Sequence, residues 1–140
     1  MDTVTQGTAR KLVALNHAEC LRLLSTTPVG RLIFTEGALP AVRMMNFVLA
    51  GDLLVLRTAP GTAAARKAAG SVVAFEADMV DAATSCGWSV TVTGSAKLVT
   101  DAHVTAAYRE LPLMPWVPGE RDEFVTITTD LVRGQQILPG

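Results

Sequence analysis

The chain has no excess of positive charge. Twelve Lys and Arg against thirteen Asp and Glu leave a net charge of -1 over 140 residues, so no long-range field draws in a polyanion. Any anion must be bound locally, and nucleic acid is not an expected partner. Cysteine is nearly absent: Cys20 and Cys86 cannot build a disulfide framework, and neither has a Cys or His neighbour at zinc-ligand spacing. Both read as reduced, buried thiols. Apolar runs of the roughly 18 residues needed to span a membrane are missing, and the polar stretch Met1 to Asn16 lacks the apolar segment of a signal peptide. A soluble, cytoplasmic chain with no membrane partner is expected. Catalytic signatures are missing too: no H-E-x-x-H, no G-x-S-x-G, no G-x-x-x-x-G-K-[ST] and no G-x-G-x-x-G occurs. His17 and His103 stand alone at predicted helix starts and receive no role. Charged residues make up only 18%, whereas hydrophobic residues reach 49% with a mean hydropathy of +0.34. Disorder is excluded, and part of the apolar surface is expected to be hidden in an oligomer.

What is present is a succession of short strands. Asn16-His17-Ala18-Glu19 is a capping box opening a short helix that must end before Pro28. Val29 to Thr35, Ala41 to Leu49 and Asp52 to Arg57 are apolar runs separated by Glu36-Gly37 and Ala50-Gly51-Asp52, which reads as a three-stranded meander. Gly61 to Gly70 is alanine-rich and predicts a short helix, and Ser71 to Asp78 a further strand. From Trp88, strict alternation places Val90, Val92, Gly94, Ala96 and Leu98 on one face of a long strand, with Gly94 marking a bend. Asp101 caps a helix running to about Leu111, prolines 112, 115 and 118 force an extended loop, and Phe124 to Thr128 and Val132 to Leu138 close the chain as strands. Residues 1–15 are expected to be a flexible segment and 16–140 a single domain. Many strands with few helices favour a small antiparallel barrel, because closure removes exposed edges.

The chemically informative stretch is Leu56-Arg57-Thr58-Ala59-Pro60-Gly61-Thr62, a strand ending in a cation and a hydroxyl, followed by a glycine turn and a helix start. Arginine can grip two phosphate oxygens, hydroxyls add donors, and a helix start presents free N–H groups. A phosphate cradle and an ordinary strand-to-helix turn both satisfy this pattern. Arg66 and Lys67, one helical turn on, either reach back toward the anion or serve as solvated helix charges. Met44 and Met45 alternate across a strand, one toward the core and one toward a groove. Arg43 competes between anion ligand and surface ion pair, and Trp88 and Trp116 between walls of a site and simple interface burial.

The collinear set Glu19-Cys20-Leu21, Val29-Gly30-Arg31-Leu32, Arg57-Thr58-x-x-Gly61-Thr62, Val73-Ala74-Phe75-Glu76-x-Asp78, Gly87-Trp88-Ser89-Val90, Gly94-x-Ala96 and Pro115-Trp116-x-Pro118-Gly119 covers residues 16 to 138. It resembles the actinobacterial branch of the pyridoxamine 5'-phosphate oxidase-like, flavin-binding split-barrel family. The resemblance implies a mainly β fold with short helices, a six-stranded antiparallel split β-barrel, and a homodimer with an FMN groove between subunits. It places the phosphate on Arg57, Thr58, Gly61 and Thr62 and the ring against the second strand of the meander, which carries Met44, Met45 and Asn46 as candidate contacts and Arg43 as a candidate anion ligand. Two departures stand out: Ala63 occupies the position of the usual lysine, and Met44-Met45-Asn46-Phe47 replaces Pro-Val-Asn-Tyr. A flavin-dependent oxidoreductase acting on a small molecule is the leading expectation. A deazaflavin coenzyme, or a non-catalytic dimer that holds flavin or haem weakly or holds no cofactor, are the alternatives.

Overall fold

Strict alternation decides where the strands lie. In the long strand that begins near Trp88, Val90, Val92, Gly94 and Ala96 are buried while the residues between them are partly open, as a half-solvated strand requires. The computed structural model describes residues 10–59, 67–116 and 123–139. Their elements run, in chain order, β1 (Lys11–Leu15), α1 (His17–Leu24), β2 (Val29–Glu36), β3 (Leu39–Ala50), β4 (Leu53–Thr58), β5 (Val72–Asp81), β6 (Cys86–Leu98), α2 (Ala102–Arg109), β7 (Glu123–Thr128) and β8 (Leu131–Leu138). The expected β2–β3–β4 meander is present, with all neighbours antiparallel.

Hydrogen-bonded neighbours follow the order β1-β8-β6-β5-β2-β3-β4-β7, and β6 also pairs with β7. That extra pairing closes β2 to β7 into a six-stranded ring, with β8 and β1 continuing outward from β6: a split barrel. One strand serves both parts. Gly87 to Thr93 of β6 pair with β8, and Ala96 to Leu98 pair with β7. Gly94 lies at the change of partner. A Cβ there would land on the carbonyl oxygen of Thr128, so the predicted bend is a site of close backbone approach. The Thr128 hydroxyl seals the junction by accepting from the Ser95 N–H at 2.8 Å.

Inside the ring, Leu32, Phe47, Leu54, Leu56, Phe75, Val92 and Ile127 form the main core, with Phe47 and Phe75 meeting edge to face at 4.8 Å between centroids. Burial of each such side chain contributes about 1.5–3 kcal/mol. Helix α1 begins with the predicted capping box: the Asn16 side chain accepts from Glu19 N–H at 2.8 Å, and the Glu19 carboxylate accepts from Asn16 N–H at 3.3 Å. It drives Cys20, Leu23 and Leu24 into the main core. A satellite core of Val55, Leu113 and Phe124 lies outside the ring, covered by Tyr108 of α2.

Three expectations need correction. Lys11–Leu15, assigned to a flexible segment, is a strand in register with β8. Its residues stay mostly exposed, so edge pairing rather than burial holds it, and no alternation marks it. Cys86 is half-buried rather than buried. Helix α2 stops at Arg109, before the predicted Leu111. Of the predicted Gly61 to Gly70 helix, residues 61–66 lie outside the described residues, while Lys67 and Ala68 are helical. Among the described residues no helix is long and apolar enough to cross a membrane.

Candidate functional site

Arg57 stands one residue from the end of β4, opposite Phe124 of β7. It shares the outer face of the ring with Val55, because Leu54 and Leu56 take the inner face. Among its contacts, Nη1 donates to the Leu113 carbonyl at 3.3 Å, and its central carbon lies 5.4 Å from the centre of the Phe124 ring. A cation held by a ring and a carbonyl loses little further freedom on meeting an anion.

The β3–β4 register, extended one step beyond Phe47↔Leu56, puts Asn46 opposite Arg57. Asn46 joins three segments. Its Nδ2 donates to the Pro28 carbonyl at 3.3 Å, and its Oδ1 accepts from the Trp116 N–H at 2.9 Å. The proline-rich loop is thereby tied beside Arg57, with the Trp116 side chain 66% exposed. Two residues along the same face of β3, Met44 is 71% exposed. The structure therefore brings Arg57, Asn46, Met44 and Trp116 to one outer surface.

Other predicted members lie elsewhere. Arg43 and Met45 point to the opposite face of β3, as period-2 geometry demands. Met45 packs against the main core, and Arg43 reaches the Phe34 ring at 6.0 Å. Thr58 is buried on the inner side, where its hydroxyl donates to the Glu123 carbonyl at 3.3 Å and fastens β4 to β7. Lys67 pairs with Glu36 at 3.3 Å. Trp88 is half-buried against the main core, eight residues before the β6–β7 junction at Ala96, or about 26 Å along the strand. Gly61, Thr62 and Arg66 lie outside the described residues.

Sequence reasoning gave no role to a charge cluster beside Met44. Arg31, opposite Met44 on β2, donates from Nη1 to Glu76 at 2.8 Å and to Asp78 at 3.1 Å. Two carboxylates two residues apart on one strand face were the available signal. Burial pushes the Glu76 carboxyl above its ordinary value, and the nearby Asp78 pushes it further, against the opposing pull of Arg31. Burial also raises the Cys20 thiol, with Glu19 adding to the effect, so that cysteine is an inert core residue.

A six-stranded ring carrying an oriented arginine and an exposed apolar strip on its outer face defines a split barrel with a surface suited to an anionic, ring-bearing ligand. The model of the pyridoxamine 5'-phosphate oxidase family matches residues 16–136, and the chain belongs to that family. It is 41% identical over 135 residues to an uncharacterized protein of Mycobacterium tuberculosis, covering 93% of this chain and 88% of the relative. Among solved structures it is similar to the FAD binding protein from Mycobacterium smegmatis, with 29% identity, a TM-score of 0.77, and coverage of 91% of this chain and 99% of that one. A conserved protein of unknown function from Corynebacterium diphtheriae shares 30% identity at a TM-score of 0.75, over 91% and 98% of the two chains.

Proposed function

We propose that this chain is a flavin-nucleotide-binding protein working as a flavin-dependent oxidoreductase on a small molecule, with FMN as the bound form. The observation that carries the reading is the convergence of Arg57, Asn46, Met44 and Trp116 on one surface. A flavin nucleotide joins an anionic phosphate to a flat, largely apolar ring. The residues present fit both parts: Arg57 supplies an oriented charge, and Met44 and Trp116 leave apolar surface uncovered beside it. When bound, the flavin would supply the hydride or electron chemistry. Arg57 would hold the phosphate through charge-assisted hydrogen bonds, Asn46 would keep the Trp116 loop in place, and Met44 would offer a polarizable seat for the ring.

A second copy of the chain would cover the exposed strip formed by Val42, Met44, Met114 and Trp116, making the working form a homodimer. FAD is a second reading, favoured by the FAD binding protein at 29% identity. A deazaflavin coenzyme with a polyanionic tail finds less support, since Arg31 is engaged by Glu76 and Asp78 and Lys67 by Glu36. Haem finds none in His17 or His103, which lie exposed in the first turns of α1 and α2.

Titration of the purified chain with FMN, FAD and riboflavin, followed by flavin fluorescence, tests this function. Saturable binding of FMN or FAD, tighter than that of riboflavin, is expected. Affinity no better than roughly millimolar for all three overturns the flavin reading.

A further inference from the structure

Between the end of α1 and β3 the chain leaves a cavity of about 290 Å³ that the flavin reading does not use. Leu24, Pro28, Phe47, Leu49 and Pro112 make its wall largely apolar, and none of the described residues lining it is charged. One edge of that wall is open backbone. β3 pairs with β2 as far as Asn46↔Val29 and with β4 from Phe47↔Leu56, so beyond Phe47 its β2 side has no neighbouring strand among the described residues. The Phe47 N–H donates to the Pro28 carbonyl at 3.1 Å, which fixes the sense of this edge. Every second residue of a strand turns its N–H and C=O the same way, so those of Leu49 face the open side too. Pro28 has no N–H, and the Phe47 carbonyl therefore receives no return bond from it.

These backbone groups narrow the class of ligand. The hydroxyls of Ser25, Thr26 and Thr27, which also line the cavity, donate to the carbonyls of Leu21 at 3.0 Å, Leu23 at 2.6 Å and Val29 at 3.4 Å. Their protons are engaged. What the wall offers is the adjacent donor and acceptor of Leu49, with the Phe47 carbonyl as a further acceptor. An opposing residue in an antiparallel ladder would exchange two hydrogen bonds with Leu49. A whole added strand does not fit, because the Gly51 turn begins two residues after Leu49 and Pro28 closes the other end. A charged molecule would leave water here without a counter-ion. We propose that this cavity binds a small, uncharged molecule bearing a cis-amide, such as a lactam, whose C=O accepts from the Leu49 N–H and whose N–H donates to the Leu49 C=O while its apolar body lies against Leu24, Phe47 and Pro112. The site uses the residues of one protomer and does not depend on the flavin reading.

2-Quinolinone, an uncharged planar lactam, and N-methyl-2-quinolinone, which lacks the N–H, are suitable probes. Each is titrated into the isotope-labelled full chain, and the backbone amide resonances are followed by NMR. With 2-quinolinone the Leu49 amide proton should move downfield and saturate. The N-methyl compound should bind at least about tenfold more weakly, having lost one hydrogen bond and gained a clash with the Leu49 carbonyl. Ser25→Trp, at an exposed position on the rim, should weaken 2-quinolinone at least about tenfold by filling the cavity, while unmoved resonances in β5 and β6 show that the variant is folded. No saturable shift at Leu49, equal affinity for the two lactams, or binding indifferent to Ser25→Trp overturns the proposal.

Discussion

Replacing Gly94 by alanine probes the feature that makes this barrel split. The added methyl group would meet the carbonyl oxygen of Thr128, with the Thr128 carbonyl carbon and hydroxyl each 2.7 Å away. Two of these three atoms are backbone, so no rotamer change relieves the clash. Overpacking of this kind costs about 1–3 kcal/mol. Pushing Thr128 aside also breaks its 2.8 Å bond from Ser95 N–H, worth about 0.5–1.5 kcal/mol. The sum of about 1.5–4.5 kcal/mol is a large share of the about 5–15 kcal/mol that holds a domain folded. For a chain of this size each kcal/mol lowers the midpoint by about 3 °C, so a fall of about 4–14 °C is expected in a thermal melt followed by circular dichroism. Gly51→Ala is the control. Gly51 has a φ of 63° with nothing within 4 Å of its Cβ position, so it suffers only the backbone penalty, about 1 kcal/mol. Because β7 carries Phe124 beneath Arg57, Gly94→Ala should also weaken flavin binding, whereas Gly51→Ala should not. A Gly94→Ala midpoint within about 2 °C of the original chain, or no lower than that of Gly51→Ala, refutes the reasoning.

Asn46→Ala removes the bonds to Pro28 and Trp116, so a loss of about 1–2 kcal/mol in urea unfolding is expected, together with roughly tenfold weaker FMN binding. Asn46→Asp, which keeps the acceptor for Trp116 N–H, should recover part of both. Arg43→Ala should leave FMN affinity within about twofold in a fluorescence titration, because Arg43 faces away from Arg57 and lies over Phe34. For Glu76, a carboxyl raised above its ordinary value means that the folded chain binds the proton more tightly than the unfolded one. That stabilisation is complete below the ordinary carboxylate range and is lost as the pH rises through the raised value. Glu76→Gln should flatten urea-measured stability against pH across that window, and an unchanged slope would contradict the assignment.

The elements that bury a stripe were readable from sequence. Alternation from Trp88 onward, the Asn16–Glu19 capping box and the turns around Gly37 and Gly51 each act within a few residues, where local chemistry decides. β1 escapes notice because Lys11–Leu15 buries little beyond Leu15 and is held mainly by pairing with β8 more than a hundred residues away. At the site, Arg57 was recognisable as a cation ending a strand. Its supports were not, since Leu113 is 56 residues distant and Phe124 reaches it only through the β4–β7 pairing. The alternation of Met44 and Met45, one toward the core and one toward a groove, is legible in the sequence, and the same period puts Arg43 on the Met45 face, away from Arg57. Trp88, expected either to wall the flavin site from a partner subunit or to be buried at a dimer interface, lies within a protomer beside a cavity apart from Arg57.

The most direct test of a flavin phosphate at Arg57 compares FMN with riboflavin, which lacks the phosphate, in the original chain and in Arg57→Ala. The side chain, in contact with Leu113 and Phe124, lies on the outer face, where one charge-assisted contact is worth about 1.5–3 kcal/mol, or roughly ten- to a hundredfold in affinity. Arg57→Ala should weaken FMN by that factor and riboflavin by no more than about threefold, with the difference shrinking in high salt. Equal losses for the two ligands, or undiminished FMN binding, would contradict the account.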